Sequence, residues 1–358
     1  MNSGRQNPYI QVIVPARNEQ ECIGRCLQSL TGQQGIDFQI TVVDDGSTDQ
    51  TRSIAESFAG VSVISSREPA PGISGKCNAL IMAAVGSRAR WLLFTDADTF
   101  HLPGSLAAAV AEAEERNVDL LSYSPEQEVV TWSEYALMPV VFADLTRTYP
   151  TEAVNDPASP VVAANGQYLL VRREVYEQLG GHAAVATCVL EDVEIARLFK
   201  NAGRRTWFRY GGGIVRTRMY RSFSAMVEGW TKNLTLLFHH TVLLAIIRLL
   251  EFGIITGALI AGAILLTVHH PQAGWALPAA AGVFYFRFLL RIRAAHFSWR
   301  ANFMAIFGLP LFAVLLLRSY LHAMIRGAVT WKGRRYTHSE PTAVAKASMQ
   351  EGNFIIKG

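Results

Sequence analysis

The chain has little cysteine, almost no acid in one long stretch and no excess of basic charge. Its 358 residues hold four cysteines, Cys22, Cys26, Cys77 and Cys188, with no Cys-x-x-Cys pair and no Cys/His cluster. A structural zinc site is therefore not expected. Cys22 and Cys26 fall four apart on a predicted helix, which suits two small buried residues better than a bridge and fits a reducing compartment. The formal charge is only +4, too small for the basic footprint that a nucleic-acid partner requires. From Leu234 to Met324, Glu251 is the only acid in a mostly apolar run. That is the composition of a membrane segment, not of a soluble domain. Met1–Asn7 is polar and short, so no secretory signal is expected.

What is present begins with two apolar runs that each stop on acids. Trp91-Leu92-Leu93-Phe94-Thr95 leads into Asp96-Ala97-Asp98, and Ile40-Thr41-Val42-Val43 leads into Asp44-Asp45-Gly46-Ser47. Side chains alternate faces along a strand, but a turn after Thr95 brings the two carboxylates toward one ligand. A few hard oxygens suit a divalent metal whose other positions are filled by water and phosphate. Capping of a following helix accounts for one acid of each pair, not for both.

Around these runs the first 120 residues alternate. Tyr9–Val14, Phe38–Val43, Val61–Ser65, Trp91–Thr95 and Val118–Tyr123 read as strands; Glu19–Leu30, Lys76–Gly86 and Pro103–Arg116 read as helices. Ser47 or Thr48 is placed to cap a helix with Asp49 in its first turn. The pattern predicts an α/β fold with a mostly parallel sheet and ligands outside the carboxyl ends of the strands. Farther on, Trp132–Tyr149 reads as an apolar helix, Asn155-Asp156-Pro157 as a loop, and Gly166–Arg173 as a strand running into a helix. Glu191 and Asp192 open another helix, where the dipole favours acids in any case.

Taken in order over residues 9 to about 235, these pieces resemble the inverting family 2 glycosyltransferases, which have the GT-A nucleotide-sugar-binding fold. The resemblance is carried by Val14-Pro15-Ala16-Arg17-Asn18-Glu19, Val43-Asp44-Asp45-Gly46-Ser47-Thr48-Asp49, Gly75-Lys76, Thr95-Asp96-Ala97-Asp98, Gly180-Gly181-His182 and Glu191-Asp192. Arg218-Met219-Tyr220, Glu228-Gly229-Trp230-Thr231-Lys232 and Trp331-Lys332-Gly333-Arg334-Arg335-Tyr336 are similar to the membrane-bound carotenoid-acid and hopene-associated members. The resemblance implies transfer of a sugar from a nucleoside-diphosphate sugar, UDP-glucose foremost, to a membrane lipid or isoprenoid-type acceptor. Pro15 and Ala16 would lie against the base of the nucleotide. Glu19 and Asp44, with Asp45 beside them, would accept hydrogen bonds from ribose and uracil. Lys76 would face the diphosphate, and Asp96 and Asp98 would hold Mg²⁺ or Mn²⁺, Asp98 more directly. Asp192, with Glu191 as neighbour, would be the base for the acceptor. Where related lipid enzymes have Gln-x-x-Arg-Trp, this chain reads Met226-Val227-Glu228-Gly229-Trp230. Arg218, Arg221 and Lys232, in that order, are candidates for the missing guanidinium, and Trp230 is a candidate floor for the acceptor or a buried structural Trp. A processive polysaccharide synthase would need more membrane spans. A nucleotidyltransferase shares the paired acids but not the Glu191-Asp192 base.

Four regions are expected: a GT-A domain over 1–222, an interfacial amphipathic helix over 223–240, a transmembrane region over 241–325 and a cytoplasmic tail over 326–358. Thr241–Val268 and Ala273–Leu290 are long enough to span. Arg248 and Glu251, three apart on one helix face, are expected to pair. The turn between the two spans carries no Lys or Arg, whereas Arg287, Arg291, Arg293 and Arg300 follow the second. The positive-inside rule then places the catalytic domain on the cytoplasmic side of the inner membrane. Asn302–Leu321 is a third candidate with basic residues on both flanks, and Gly308-Leu309-Pro310 favours a re-entrant or interfacial pair there.

Overall fold

The computed structural model describes residues 8–268, 270–326, 328–331 and 334–337. The strands are β1 (Ile10–Ala16), β2 (Phe38–Asp44), β3 (Val61–Ser65), β4 (Trp91–Phe94), β5 (Thr99–His101), β6 (Leu120–Ser124), β7 (Glu126–Gln127), β8 (Leu169–Arg172), β9 (Thr206–Tyr210), β10 (Val215–Thr217), β11 (Ala328–Trp331) and β12 (Arg334–Thr337). Seven form one sheet in the order β3-β2-β1-β4-β8-β6-β9. β8 runs antiparallel to β4 and β6, and every other pair is parallel. The expected α/β fold with a mostly parallel sheet is borne out. Because β8 is reversed, it starts beside the carboxyl end of β4, where Leu169 pairs with Phe94. The segment leading into it, Asn165-Gly166-Gln167, is thereby delivered to the same edge as the acids.

β1 and β2 are covered on both faces, which is why they read as unbroken apolar runs. Val12 and Val14 pack with Ile23, Leu27 and Leu106 on one side. Ile13 and Val43 pack with Leu80, Ile195 and Phe199 on the other. The far edge strand β9 is closed by a side chain: Asn155 Nδ2 donates to Phe208 O at 2.9 Å and its Oδ1 accepts from Phe208 N at 2.7 Å. Asn155 thus ends a short helix, Thr151–Asn155, where a plain loop was expected. A small sheet, β5-β10-β7, crosses beside the carboxyl ends.

The predicted cap at Ser47 or Thr48 is not formed. The helix starts later, at Thr51, and Asp49 Oδ1 accepts from Thr51 N at 2.9 Å. Ser47 and Thr48 are held by Asn18, whose backbone is left-handed at φ 54°.

A second apolar body gathers the helices Phe223–Leu237, Thr241–Thr267, Pro271–Arg293 and Gly308–Arg326. The helix Trp132–Thr148, which sequence order places inside the first region, packs into this body instead of on the sheet. Its N-terminus carries a capping box between Thr131 and Glu134. Gly308 lets it approach closely, since a Cβ there would collide with Ala136 O. Among the described residues, three segments are long and apolar enough to cross a membrane: Thr241–Thr267, Gln272–Arg293 and Trp299–Ile325. The first two leave Leu250, Ile260, Ile264 and Phe286 exposed. The third is broken by a 3-10 turn at Ala305–Phe307, and Pro310 falls in the first turn of the next helix, where a missing N–H costs nothing.

The expected Arg248–Glu251 pair is present, and it belongs to a larger network, buried at Arg248 and Asp144 and half-buried at Glu251 and Arg291. Arg248 grips Asp144 at 2.8 and 2.9 Å. Arg291 donates to Asp144 Oδ1 at 2.8 Å and to Glu251 Oε2 at 2.7 Å. Two carboxylates and two guanidinium groups satisfy one another, as buried charges must. Trp331 and Arg334–Tyr336 lie on the β11–β12 hairpin, while Lys332, Gly333, Met1–Asn7 and the expected tail from His338 onward lie outside the described residues.

Candidate active site

A cleft of about 710 Å³ opens at the carboxyl ends of β1, β2 and β4. Pro15, Ala16, Glu19, Asp45, Lys76, Asp96, Asp98, Glu191, Asp192 and Arg218 all line it. Two expected residues do not. Asp44 is buried beneath the turn and accepts from Ser47 N at 3.3 Å. Trp230 lines a separate, adjoining cavity.

Lys76 stands at the centre. Ser74 caps its helix by accepting from Cys77 N at 2.9 Å, which fixes the first turn. Lys76 Nζ lies 2.8 Å from Asp96 Oδ1 and 3.1 Å from Glu191 Oε1. Burial alone would lower its pKa; Asp96, Glu191 and Asp192 outweigh that and hold the ammonium well above its ordinary range. Glu191 is likewise kept below the usual carboxylate range by Lys76 and Lys232, against the effect of its burial.

The two other acids are pushed the opposite way. Burial, then Asp96 and Glu19, push Asp98 up to about 7. Burial, then Glu191, push Asp192 up to about 6. Asp192 is nevertheless firmly placed. Its Oδ2 accepts from Gly166 N at 2.7 Å and its Oδ1 from Val193 N at 2.9 Å. Among the described residues no group of three or more His, Cys, Asp or Glu side chains forms a metal cage. Asp96 and Asp98 therefore offer two carboxylates, a set that fits a divalent ion completed by phosphate oxygens. The raised Asp98 fits too, since a cation is what would relieve its repulsion with Asp96.

Several supporting residues gave no local signal in the sequence. Gln167 Nε2 reaches both Asp98 oxygens at 3.4 Å and Thr217 Oγ1 at 3.2 Å. Below the acids, Thr95 and Thr99 share a buried cluster with His101, at 3.1 and 3.2 Å from its Nε2. Burial pushes His101 down to about 3, so it is a neutral hydrogen-bonding partner. The Gly180-Gly181-His182 turn closes on Tyr176, whose hydroxyl is 2.9 Å from His182 Nδ1. Burial likewise pushes His182 down to about 4, which marks it as structural. The buried thiols of Cys22, Cys26 and Cys77 are all pushed up by burial, which leaves them poor nucleophiles.

Arg218, Arg221 and Lys232 all line the cleft. Arg218 is committed to Glu134, at 3.0 Å. Arg221 is exposed at the rim, and burial lowers Lys232 while Glu191 opposes that. The position of the missing arginine is itself informative. A Cβ on Gly229 would collide with the ring of Tyr220, so Tyr220 fills the space that a side chain at 229 would take.

Residues 11–180 match the glycosyl transferase family 2 model. The chain carries a family 2 glycosyltransferase domain. Over 345 residues the glycosyltransferase is 27% identical to the 4,4'-diaponeurosporenoate glycosyltransferase of Staphylococcus aureus (strain MRSA252), covering 92% of this chain and 89% of that protein. The same-named protein of strain USA300 is 27% identical over 346 residues, with 92% and 89% covered. Among solved structures, the mannosyltransferase PcManGT from Pyrobaculum calidifontis, in complex with GDP-Man and Mn²⁺, superposes with a TM-score of 0.52. Its identity is 19% over 89% of this chain and 88% of that one, a likeness in fold. The GT-A fold and the family expected from the motifs are thus borne out.

Proposed function

We propose that this enzyme transfers a sugar, with inversion, from a nucleoside-diphosphate sugar to the carboxyl or hydroxyl end of an isoprenoid-type or lipid acceptor at the inner membrane. UDP-glucose is our choice of donor. The observation that carries the reading is the central Lys76, salt-bridged to one acid from each of two pairs, Asp96-Asp98 and Glu191-Asp192, in one cleft. One pair faces the strand ends where a nucleotide belongs. The other stands across the lysine from it, where an acceptor would approach.

Pro15 and Ala16 let the backbone lie flat against the base of the nucleotide, with Glu19 and Asp45 beside them for its polar edge. Asp98 and Asp96 would hold Mg²⁺ or Mn²⁺; when bound, the ion neutralises the charge that develops on the departing nucleoside diphosphate. Lys76 contributes a fixed positive charge to the same task. Asp192, held by Gly166 and Val193, takes the proton of an acceptor hydroxyl at its carboxylate. An acceptor that is a carboxylic acid arrives ionised and needs less of this help. The relatives named for a carotenoid acid, at 27% identity over 92% of the chain, favour such an acceptor.

The helices Thr241–Thr267 and Pro271–Arg293 would span, with the Trp299–Met304 and Gly308–Arg326 pair at the cytoplasmic interface. Burial supports this: 44% of the third apolar window is buried, against 11% of the first. His296, just past Arg293, stacks on Tyr210 of β9, which supports the basic end of the second span lying on the side of the catalytic domain. The test is turnover by the full chain in vesicles with UDP-glucose and a polyene carboxylic acid. Free UDP without pyrophosphate is expected, and pyrophosphate as product would return the protein to the nucleotidyltransferases.

A further inference from the structure

Behind Asp192 lies a second cavity of about 850 Å³ that the chemistry above does not use. It is bounded by the edge strand β9, the helix Trp132–Thr148, the helix Phe223–Leu237 and the segment Ala294–Phe297 that follows the second apolar helix. Its walls are largely apolar and aromatic, with Phe142, Leu145, Trp207, Trp230, Leu237 and Phe297 among them. It shares Asn165, Leu190, Asp192, Met219 and Asn233 with the first cleft, so the two spaces meet at the proposed base.

Polar groups are not absent from this apolar space; they are unspent. Trp230 is 3% exposed, and its indole Nε1–H has no hydrogen-bond partner. Asn233 Oδ1 is buried and unpartnered in the same way. Buried donors and acceptors of this kind cost ~1–3 kcal/mol each when left unmade, so a ligand that satisfies them gains from the site. The outer wall is set by Tyr210 and His296, stacked at 4.1 Å, with His296 at φ 61°.

We propose that this cavity receives the apolar chain of the acceptor next to its reacting end, which reaches Asp192 through the shared wall. The inference rests on the lipid-acceptor reading above and deepens it. A volume near 850 Å³ is at the upper end for small-ligand sites, roughly 300–1,000 Å³, and takes a chain segment. A longer chain continues past Ala294–Phe297 toward the apolar helices. Trp230 then acts from the acceptor side, donating toward the carboxyl or hydroxyl end, and not on the nucleotide. The fold thereby selects acceptors with a long, narrow apolar body over compact polar ones.

The probe is a diazirine-bearing C16 fatty acid, photolysed with the full chain in phosphatidylcholine vesicles. Labels on peptides containing Trp207–Tyr210 or Phe142–Tyr149, displaced by unlabelled palmitate, are expected. Leu145→Trp, which fills the cavity from the helix Trp132–Thr148, should cut that labelling at least tenfold. Labels confined to the outward faces of Thr241–Thr267 and Pro271–Arg293 overturn the proposal. So does undiminished cavity labelling in Leu145→Trp that still binds UDP; if that variant does not bind UDP, the wild-type label map decides. UDP release from UDP-glucose is measured separately. Its absence with every acceptor removes the transferase reading, while the label map still reports on the cavity.

Discussion

Asp192→Asn separates the proposed base from the residues that hold the donor. The carboxylate accepts one backbone N–H on each oxygen, from Gly166 and Val193. Asparagine has the same shape and keeps an acceptor for one of them. A positioned general base contributes ~10²–10⁴-fold, which is about 2.7–5.5 kcal/mol of barrier. With an alcohol acceptor, kcat should therefore fall about 100- to 10,000-fold, while the Kd for UDP stays within about threefold. With a carboxylic acid acceptor the loss should be under about tenfold, because that nucleophile is already ionised. The pH profile gives a second readout. Asp192 must be ionised to act, and burial and Glu191 push it up to about 6. kcat/KM for an alcohol should fall below about pH 6 in the wild type and lose that limb in the variant.

Stability should move the other way. The folded pKa of Asp192 is raised, so between about pH 4 and 6 the folded state holds a proton that the unfolded state has lost. Stability from this group falls as pH rises through that window. Above it the ionised carboxylate costs at most about 3 kcal/mol. Asparagine removes that penalty but turns its amide N–H toward the backbone N–H it no longer accepts from, an unmade bond worth ~1–3 kcal/mol. The variant should therefore melt close to the wild-type Tm at pH 7.5 and lose the pH 4–6 dependence that Asp192 contributes. UDP-release kinetics with both acceptors, calorimetric titration with UDP and thermal melts check all three expectations. Collapse of UDP binding, or equal slowing with both acceptors, would refute the assignment.

Asp98→Ala should lower turnover by at least ~100-fold, with EDTA abolishing wild-type activity; full activity in EDTA removes the metal. Asp144→Ala leaves Arg248 without its main partner and should destabilise the detergent-solubilised protein by about 3–5 kcal/mol, read as a lowered Tm. Gly229→Arg restores the residue common in related lipid enzymes but collides with Tyr220. It should cost about 1–3 kcal/mol, and adding Tyr220→Ala should recover part of the lost Tm; an unchanged Tm in the single variant shows that the space is open. The full chain should stay in the membrane fraction through carbonate and high-salt washes, since salt screens electrostatic attachment but not a span.

The site acids were legible because they sit in short local patterns: Asp44-Asp45 and Asp96-Asp98 follow apolar strands, and Glu191-Asp192 open a helix. The order of these patterns along the chain then indicated the fold. Gln167, Thr217 and Glu134 were not legible. They reach Asp98 and Arg218 from elements distant in sequence, and nothing around them differs from ordinary strand or cap residues. The cap at Ser47 or Thr48 was misread for a related reason: Asn18, some thirty residues earlier, takes both through a left-handed backbone that sequence does not announce. Arg248 and Glu251 were paired correctly by helix spacing. Asp144 and Arg291, which complete the network, are visible only when the helices pack.

The helix Trp132–Thr148 has one end on each side of the molecule's business. Near its start Glu134 holds Arg218 in the cleft wall, and near its end Asp144 is held by Arg248 and Arg291. The two grips are about 15 Å apart at 1.5 Å per residue, and Pro139, which has no N–H for the helical ladder, falls midway between them. Asp144 is also made early, 104 residues before Arg248 and 147 before Arg291. During synthesis it must wait, uncompensated, until both arginines have emerged. The tie between this helix and the apolar helices is thus closed late in synthesis, after Glu134 and Arg218, the two residues of the cleft wall, have both emerged.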